Sequence, residues 1–132
     1  MTDRNSIQPG DSITWERTFS EEDVRTFGEL SGDQGVHHLR PDKRGRLMVQ
    51  GLLTATLPTK IGGDLSFIAN ELSFQFHLPV YAGDTITCEV RLDEVEPGER
   101  WTRLTCSFIC TNQDGEVVMT GNGQGVIRNP HS

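Results

Sequence analysis

One carboxylate and two imidazoles fall close together in the run Ser31-Gly32-Asp33-Gln34-Gly35-Val36-His37-His38. Asp33 and His38, in a non-repetitive stretch between two helical patterns, make a candidate acid–base pair. Such a pair is what the addition of water across an activated double bond requires. The structural alternative is that Asp33 closes a glycine-containing turn and both histidines face solvent. His37 and His38 are adjacent, without the three- or four-residue spacing that sets two ligands on one helix face, and no cysteine lies near them, so no metal site is expected. His77, on the polar face of a strand pattern, and His131, in the tail, are expected to be inert.

Gln50-Gly51 opens the next helical pattern. Backbone N–H groups at a helix start can stabilise a developing oxyanion, and a glycine lets a substrate carbonyl approach closely. The alternative is that Gly51 only relieves crowding there. The run Gly121-Asn122-Gly123-Gln124-Gly125 lies inside a strand pattern with no helix after it. It therefore reads as close backbone approach or a bulge rather than a dinucleotide loop. No G-x-S-x-G elbow occurs. Cys106 and Cys110 sit about 13 Å apart on one strand, too far for a disulfide, and with Cys88 they read as small apolar fillers in a reducing compartment.

These residues must be carried by a chain of 132 residues, the length of one domain, so residues 1–132 are expected to form a single unit. The net charge of -7 argues against nucleic-acid binding. Against that acidic background Arg40, Lys43, Arg44 and Arg46 enclose the single acid Asp42. This basic segment suits phosphates or an acidic partner, or else simply balances charge as a solvated loop. No long apolar run or apolar leader is evident, so no membrane partner and a cytoplasmic location are expected.

The elements follow from periodicity. Ser20-Glu21-Glu22-Asp23 has the cap residue and early acids of a helix start. Val24, Phe27 and Leu30 follow at helical spacing, and Gly32 stops the helix. A charged, irregular loop is expected over 32–47. A second helix, 50–60, presents Leu53, Leu57 and Ile61 on one face, with Thr54, Thr56 and Thr59 elsewhere and a kink or early end at Pro58. Four alternating strands come next: Leu72/Phe74/Phe76/Leu78, Ile86/Cys88/Val90/Leu92, Leu104/Cys106/Phe108/Cys110, and a return from Val117 to Ile127. Turn chemistry at Ala82-Gly83-Asp84, Glu96-Pro97-Gly98-Glu99 and Asn112-Gln113-Asp114-Gly115 joins them as an antiparallel meander. One core helix on such a sheet is an α+β arrangement, and the sheet it leaves uncovered predicts a dimer.

Together these segments resemble the MaoC-like hot-dog family, and within it the (R)-specific enoyl-CoA hydratases. FGELSGD, an Asp followed five positions later by a His, a glycine opening the core helix, and LSFQFHLPVYAGDTITCEV carry the resemblance over nearly the whole chain. Of the signature Gly-Asp-x-Asn-Pro-x-His, Gly32, Asp33 and His38 match, and Gly35 and Val36 replace Asn and Pro. The family's His-Gly becomes Gln50-Gly51, and a family serine corresponds to Thr59. The resemblance implies a helix wrapped by an antiparallel sheet, two copies pairing, and no cofactor. It implies Asp33 and His38 as the catalytic pair. Gly51, with Gln50 and Thr59, would form the oxyanion and substrate site, with Thr59 orienting the dyad. The substrate would be a coenzyme A or carrier-protein thioester whose phosphates meet the basic loop. Acyl-chain contacts are expected from Leu52, Thr56 and Phe67. A thioesterase of the same fold is the alternative, although residues 50–61 offer no carboxylate. A non-catalytic acyl-thioester binder is a third reading.

Overall fold

A computed structural model describes residues 7–130 of the chain, so His131 lies outside the described residues. Strand β1 (Ser12–Thr18) leads into helix α1 (Glu21–Ser31). The Ser20 side chain accepts from the Asp23 N–H and the Asp23 carboxylate accepts from the Ser20 N–H, a reciprocal cap that satisfies two otherwise orphaned donors. Gly32 ends the helix at φ 80°, a left-handed conformation open to glycine. Val24 and Gly28 are the buried residues of this helix. Leu30 is 83% exposed, contrary to the expected apolar stripe, because the helix covers the core only with its first two turns.

The loop after α1 is less irregular than expected. Residues Val36–Leu39 form a single helical turn, α2. The core helix is divided into α3 (Gly51–Thr54) and α4 (Thr56–Asp64) rather than running unbroken over 50–60. Pro58 has no N–H for the Thr54 carbonyl, so the break falls at Ala55 and Pro58 sits in the first turn of α4, where a donor is not needed. Leu53, Leu57 and Ile61 are buried as the spacing predicts. Thr54 is buried with them, against expectation. Each large apolar side chain removed from water here contributes about 1.5–3 kcal/mol.

The sheet contains β2 (Ile68–Phe76), β3 (Thr85–Pro97), β4 (Trp101–Thr111) and β5 (Val117–Arg128) beside β1, in the order β1-β3-β4-β5-β2 with all neighbours antiparallel. The buried faces of β3 and β4 are the expected Ile86/Cys88/Val90/Leu92 and Leu104/Phe108/Cys110. The expected four-strand meander holds only for β3-β4-β5. Strand β2 crosses to the far edge and pairs with β5. Its connection to β3 is held instead by the segment before α3: Val49 N–H donates to the Val80 carbonyl and Ala82 N–H to Leu47, both near 2.8 Å or below. At Gly121 and Gly125 an added Cβ would run into the β2 carbonyls of Ser73 and Ile68, so these glycines let β2 dock closely, as the Gly-rich run predicts. Helix α4 packs across β1 and β3 on the core side, where Phe19, Leu57, Ile86, Phe108 and Met119 form the main cluster. Among the described residues no helix is long and apolar enough to cross a membrane.

Candidate active site

The one-turn helix α2 decides which histidine is buried. Successive residues on a helix point about 100° apart, so His38 turns inward while His37 stays at the surface. The His38 side chain is 7% exposed and its Nδ1 lies 2.8 Å from the Met48 carbonyl oxygen. A carbonyl only accepts, so Nδ1 is the donor in this contact and Nε2 is the ring nitrogen left for the Asp33 side. Nε2 faces the Asp33 carboxylate, with Oδ2 at 3.7 Å. That separation is too long for a direct hydrogen bond. Asp33 is 51% exposed at its side chain, so the pair joins a buried imidazole to a carboxylate in contact with solvent. The solvated reading of both histidines thus fails for His38.

His38 lies between two cavities. One, of about 350 Å³, is lined by His37, His38, Met48, Gly51, Phe76 and His77. The other, about 120 Å³, is lined on its polar side by Arg25, Glu29, Asp33, Gln34, His38 and Gln50. Gly51 is the first residue of α3, so its N–H has no partner within the helix. An added Cβ there would stand 2.9 Å from the Phe76 ring, so the glycine keeps this wall open. Gly35, where the resembled signature has Asn, stands so close that a Cβ would meet the His37 ring at 2.8 Å. His77, expected to be inert, lines the larger cavity with its Nε2 2.7 Å from the Thr120 hydroxyl.

Gln50 is placed differently from its expected substrate-facing role. It is fully buried, and its amide nitrogen donates to the Val24 carbonyl at 2.9 Å and to that of Asp33 at 3.4 Å. Its Oε1 receives no hydrogen bond from a described group. Thr59, expected to orient the dyad, makes its side-chain hydrogen bonds within the core helix. Its hydroxyl donates back to Thr56 at 2.9 Å within α4, and the residue borders a third, apolar cavity of about 190 Å³ between α4 and the sheet. Phe67 lines that cavity with Leu72, Phe74, Cys106 and Phe108, whereas the other expected acyl contacts, Leu52 and Thr56, do not.

The basic loop splits in two. Arg46 is engaged internally, 3.0 Å from Asp42 and with its guanidinium 4.0 Å above the Tyr81 ring. Asp42 also accepts from the backbone N–H groups of Arg46 and Arg44, which hold its carboxyl below the ordinary carboxylate range. Arg40, Lys43 and Arg44 are exposed around this turn. The three cysteines are free; a thiol contact with Cys110 and burial push the Cys88 thiol up, and burial does the same for Cys106.

Residues 45–121 match the model of the family described as FAS1-like, dehydratase domain region. The chain belongs to that family. The matched stretch runs from the end of the basic loop into β5, leaving Asp33 and His38 upstream of it. Among proteins of known activity, the chain is 28% identical to an (R)-specific enoyl-CoA hydratase of Rhodospirillum rubrum, covering 92% of this chain and 88% of that protein. It is 29% identical to a 3-hydroxybutyryl-CoA dehydratase of Methylorubrum extorquens, over 86% of this chain and 75% of the relative. Among solved structures, the (R)-hydratase of A. caviae involved in PHA biosynthesis superimposes with a TM-score of 0.80 at 27% identity, covering 91% of this chain and 96% of that one. The fold is therefore the hot-dog fold of the MaoC-like dehydratases.

Proposed function

We propose that this family member adds water across the double bond of a trans-2-enoyl thioester, with (R) stereochemistry, and runs the reverse dehydration of a 3-hydroxyacyl thioester. The observation that carries the reading is the pairing of Asp33 and His38, with Nδ1 of the histidine tied to Met48 and Nε2 left free toward the carboxylate. The relatives named above, which handle such coenzyme A thioesters, support the same reaction class.

The β-carbon of an enoyl thioester is electrophilic only when the carbonyl is polarised. The Gly51 N–H would meet the carbonyl oxygen as negative charge grows on it. A water held between Asp33 and His38 gives up a proton as its oxygen bonds to the β-carbon. The proton returned by the pair to the α-carbon completes the addition. Asp33 and His38 act here as one coupled acid–base unit. The acyl chain suits the apolar cavity beside α4: Phe74 lines it, and Phe76, two residues along the same strand face, lines the cavity containing Gly51. Arg40, Lys43 and Arg44 are left to meet coenzyme A or carrier phosphates, since Arg46 is already engaged by Asp42 and Tyr81. The same reading includes a homodimer, built on the exposed edge strand β2, and a cytoplasmic location, which suits three unpaired cysteines.

The test is loss of the enoyl chromophore on mixing the protein with trans-2-enoyl coenzyme A esters of increasing chain length, with thiol release followed in parallel. Asp33→Asn and His38→Ala are each expected to lower kcat by about 10²–10⁴-fold without unfolding the protein. Thiol release without hydration, or hydration untouched by both substitutions, would overturn the reading.

A further inference from the structure

The catalytic reading of Asp33 raises the question of what holds it in place. Residues 32–35 belong to no helix or strand, and the Asp33 side chain is half exposed. Its backbone, however, is gripped on both sides by side chains. The Asp33 N–H donates to the Ser31 hydroxyl at 3.0 Å, and that hydroxyl donates to the Phe27 carbonyl at 2.7 Å. On the other side the Asp33 carbonyl accepts from Gln50, whose amide also holds the Val24 carbonyl in α1.

The placement of Gln50 is specific. Its own carbonyl accepts from the N–H groups of Leu53 and Thr54, so its backbone belongs to the start of α3, one residue before Gly51. Its side chain runs the opposite way, into the small polar cavity containing Asp33 and His38. Gly28 makes room for it: a Cβ there would press on both the Asp33 carbonyl and the Gln50 amide nitrogen at 3.3 Å.

We infer that Gln50 is a positioning residue, whose amide ties α1 and the Asp33 loop to the start of α3 and so sets the Asp33 carboxylate relative to His38 Nε2 and the Gly51 N–H. The inference rests on the reading of Asp33 and His38 as the acid–base pair. A loop displaced by about 1 Å loses on the order of a hundredfold in rate without losing substrate contacts.

The experiment is Gln50→Met in the full chain, which keeps the side-chain volume and removes both donors. With trans-2-butenoyl coenzyme A, kcat is expected to fall about 10–100-fold while KM stays within about twofold and Tm within about 3 °C. A merely structural residue would move Tm and leave kcat of the folded fraction unchanged, and that result overturns the inference. If Gln50→Met does not fold, Gly28→Ala applies the same displacement from the α1 side while improving helix propensity. It is expected to lower kcat without lowering Tm, and an unchanged kcat overturns the inference.

A second readout needs no turnover: the NMR chemical shifts of the His38 ring at one fixed pH. The groups around its ring are Asp33, Arg25 and Glu29 in the small cavity, the His37 ring at 3.9 Å, and His77 in the larger one. Withdrawing the carboxylate changes the field at the ring, so Gln50→Met is expected to move these signals in the direction Asp33→Asn does. Ring signals unmoved by Gln50→Met, yet moved by Asp33→Asn, overturn the positioning role whether or not the protein is active. A wild-type protein that does not hydrate enoyl thioesters, with the shift present, overturns the reaction and leaves the positioning role standing.

Discussion

His38 has its Nδ1 on the Met48 carbonyl and its Nε2 3.7 Å from the Asp33 carboxylate, and the proposed chemistry rests on that asymmetry. Its partner Asp33 could be picked out from five-residue spacing, because both residues come from one local segment. Gly51 could be picked out as a helix-opening glycine. The directions of the Gln50 and Thr59 side chains are not legible in the sequence, since spacing along a chain does not reveal which way a side chain turns once other elements surround it. Gly51 also allows a sharp test. In Gly51→Ala the new Cβ would stand 2.9 Å from the ring of Phe76, a residue 54% exposed and free to swing aside. Folding is therefore expected to cost little, with Tm within about 3 °C of the parent. The crowded N–H should lower kcat/KM by at least about tenfold in steady-state hydration assays. Unchanged kcat/KM would remove the Gly51 N–H from the reaction.

Helix α1 is the element whose origin is most local. Ser20, Asp23 and Gly32 write its beginning and end directly into the sequence, and the structure places all three as expected. Ser20→Ala is expected to cost about 1 kcal/mol, read as a lower urea midpoint at pH 7. The Asp23 carboxyl is held below the ordinary value of 3.8, first by the Ser20 backbone N–H and further by the Ser20 hydroxyl and Arg17, against the opposing effect of burial. A folded-state pKa below the unfolded one means that the unfolded chain binds more protons in that range. The stabilisation is present in full above the unfolded value and lost as pH falls through the lower folded value. The stability gap between the parent and Asp23→Asn is thus expected to be constant near pH 7 and to close below about pH 4. A gap that widens in acid would exclude this origin. The core helix was only half legible: Pro58 announced an interruption, but the α2 turn, which brings His38 inside, carries no strong propensity signal.

At the scale of the whole molecule the decisive feature is the crossing of β2 to the sheet edge. Its alternation of Leu72, Phe74 and Phe76 predicts a strand with one covered face, yet Ile68, Leu72, Phe76 and the following Leu78 are exposed in the single chain. An edge strand with free hydrogen-bonding groups and large apolar side chains invites a second copy. Sedimentation is expected to give twice the monomer mass, and Ile68→Lys to shift the protein toward monomer. A monomeric parent at micromolar concentration would refute the dimer. On the opposite edge, β1, the exposed Trp15 carries the Lys60 ammonium 3.9 Å from its ring, a charge that a second copy would have to desolvate.

What the sequence determined by itself is whatever rests on neighbours within a turn or a strand. That includes the cap of α1, the buried faces of β3 and β4, the break announced by Pro58, and the Asp33–His38 spacing. What only the tertiary structure decided depends on segments far apart in the chain. Strand β2 lies beside β5 because Gly121 and Gly125 admit its backbone there. His38 is buried because Met48 waits with a carbonyl. Gln50 turns toward α1 because Val24 and Asp33 both offer acceptors within its reach. Local preferences are short-range energies that a sequence displays directly, whereas strand order and side-chain direction are settled by competition among distant partners, visible only once the chain has closed on itself.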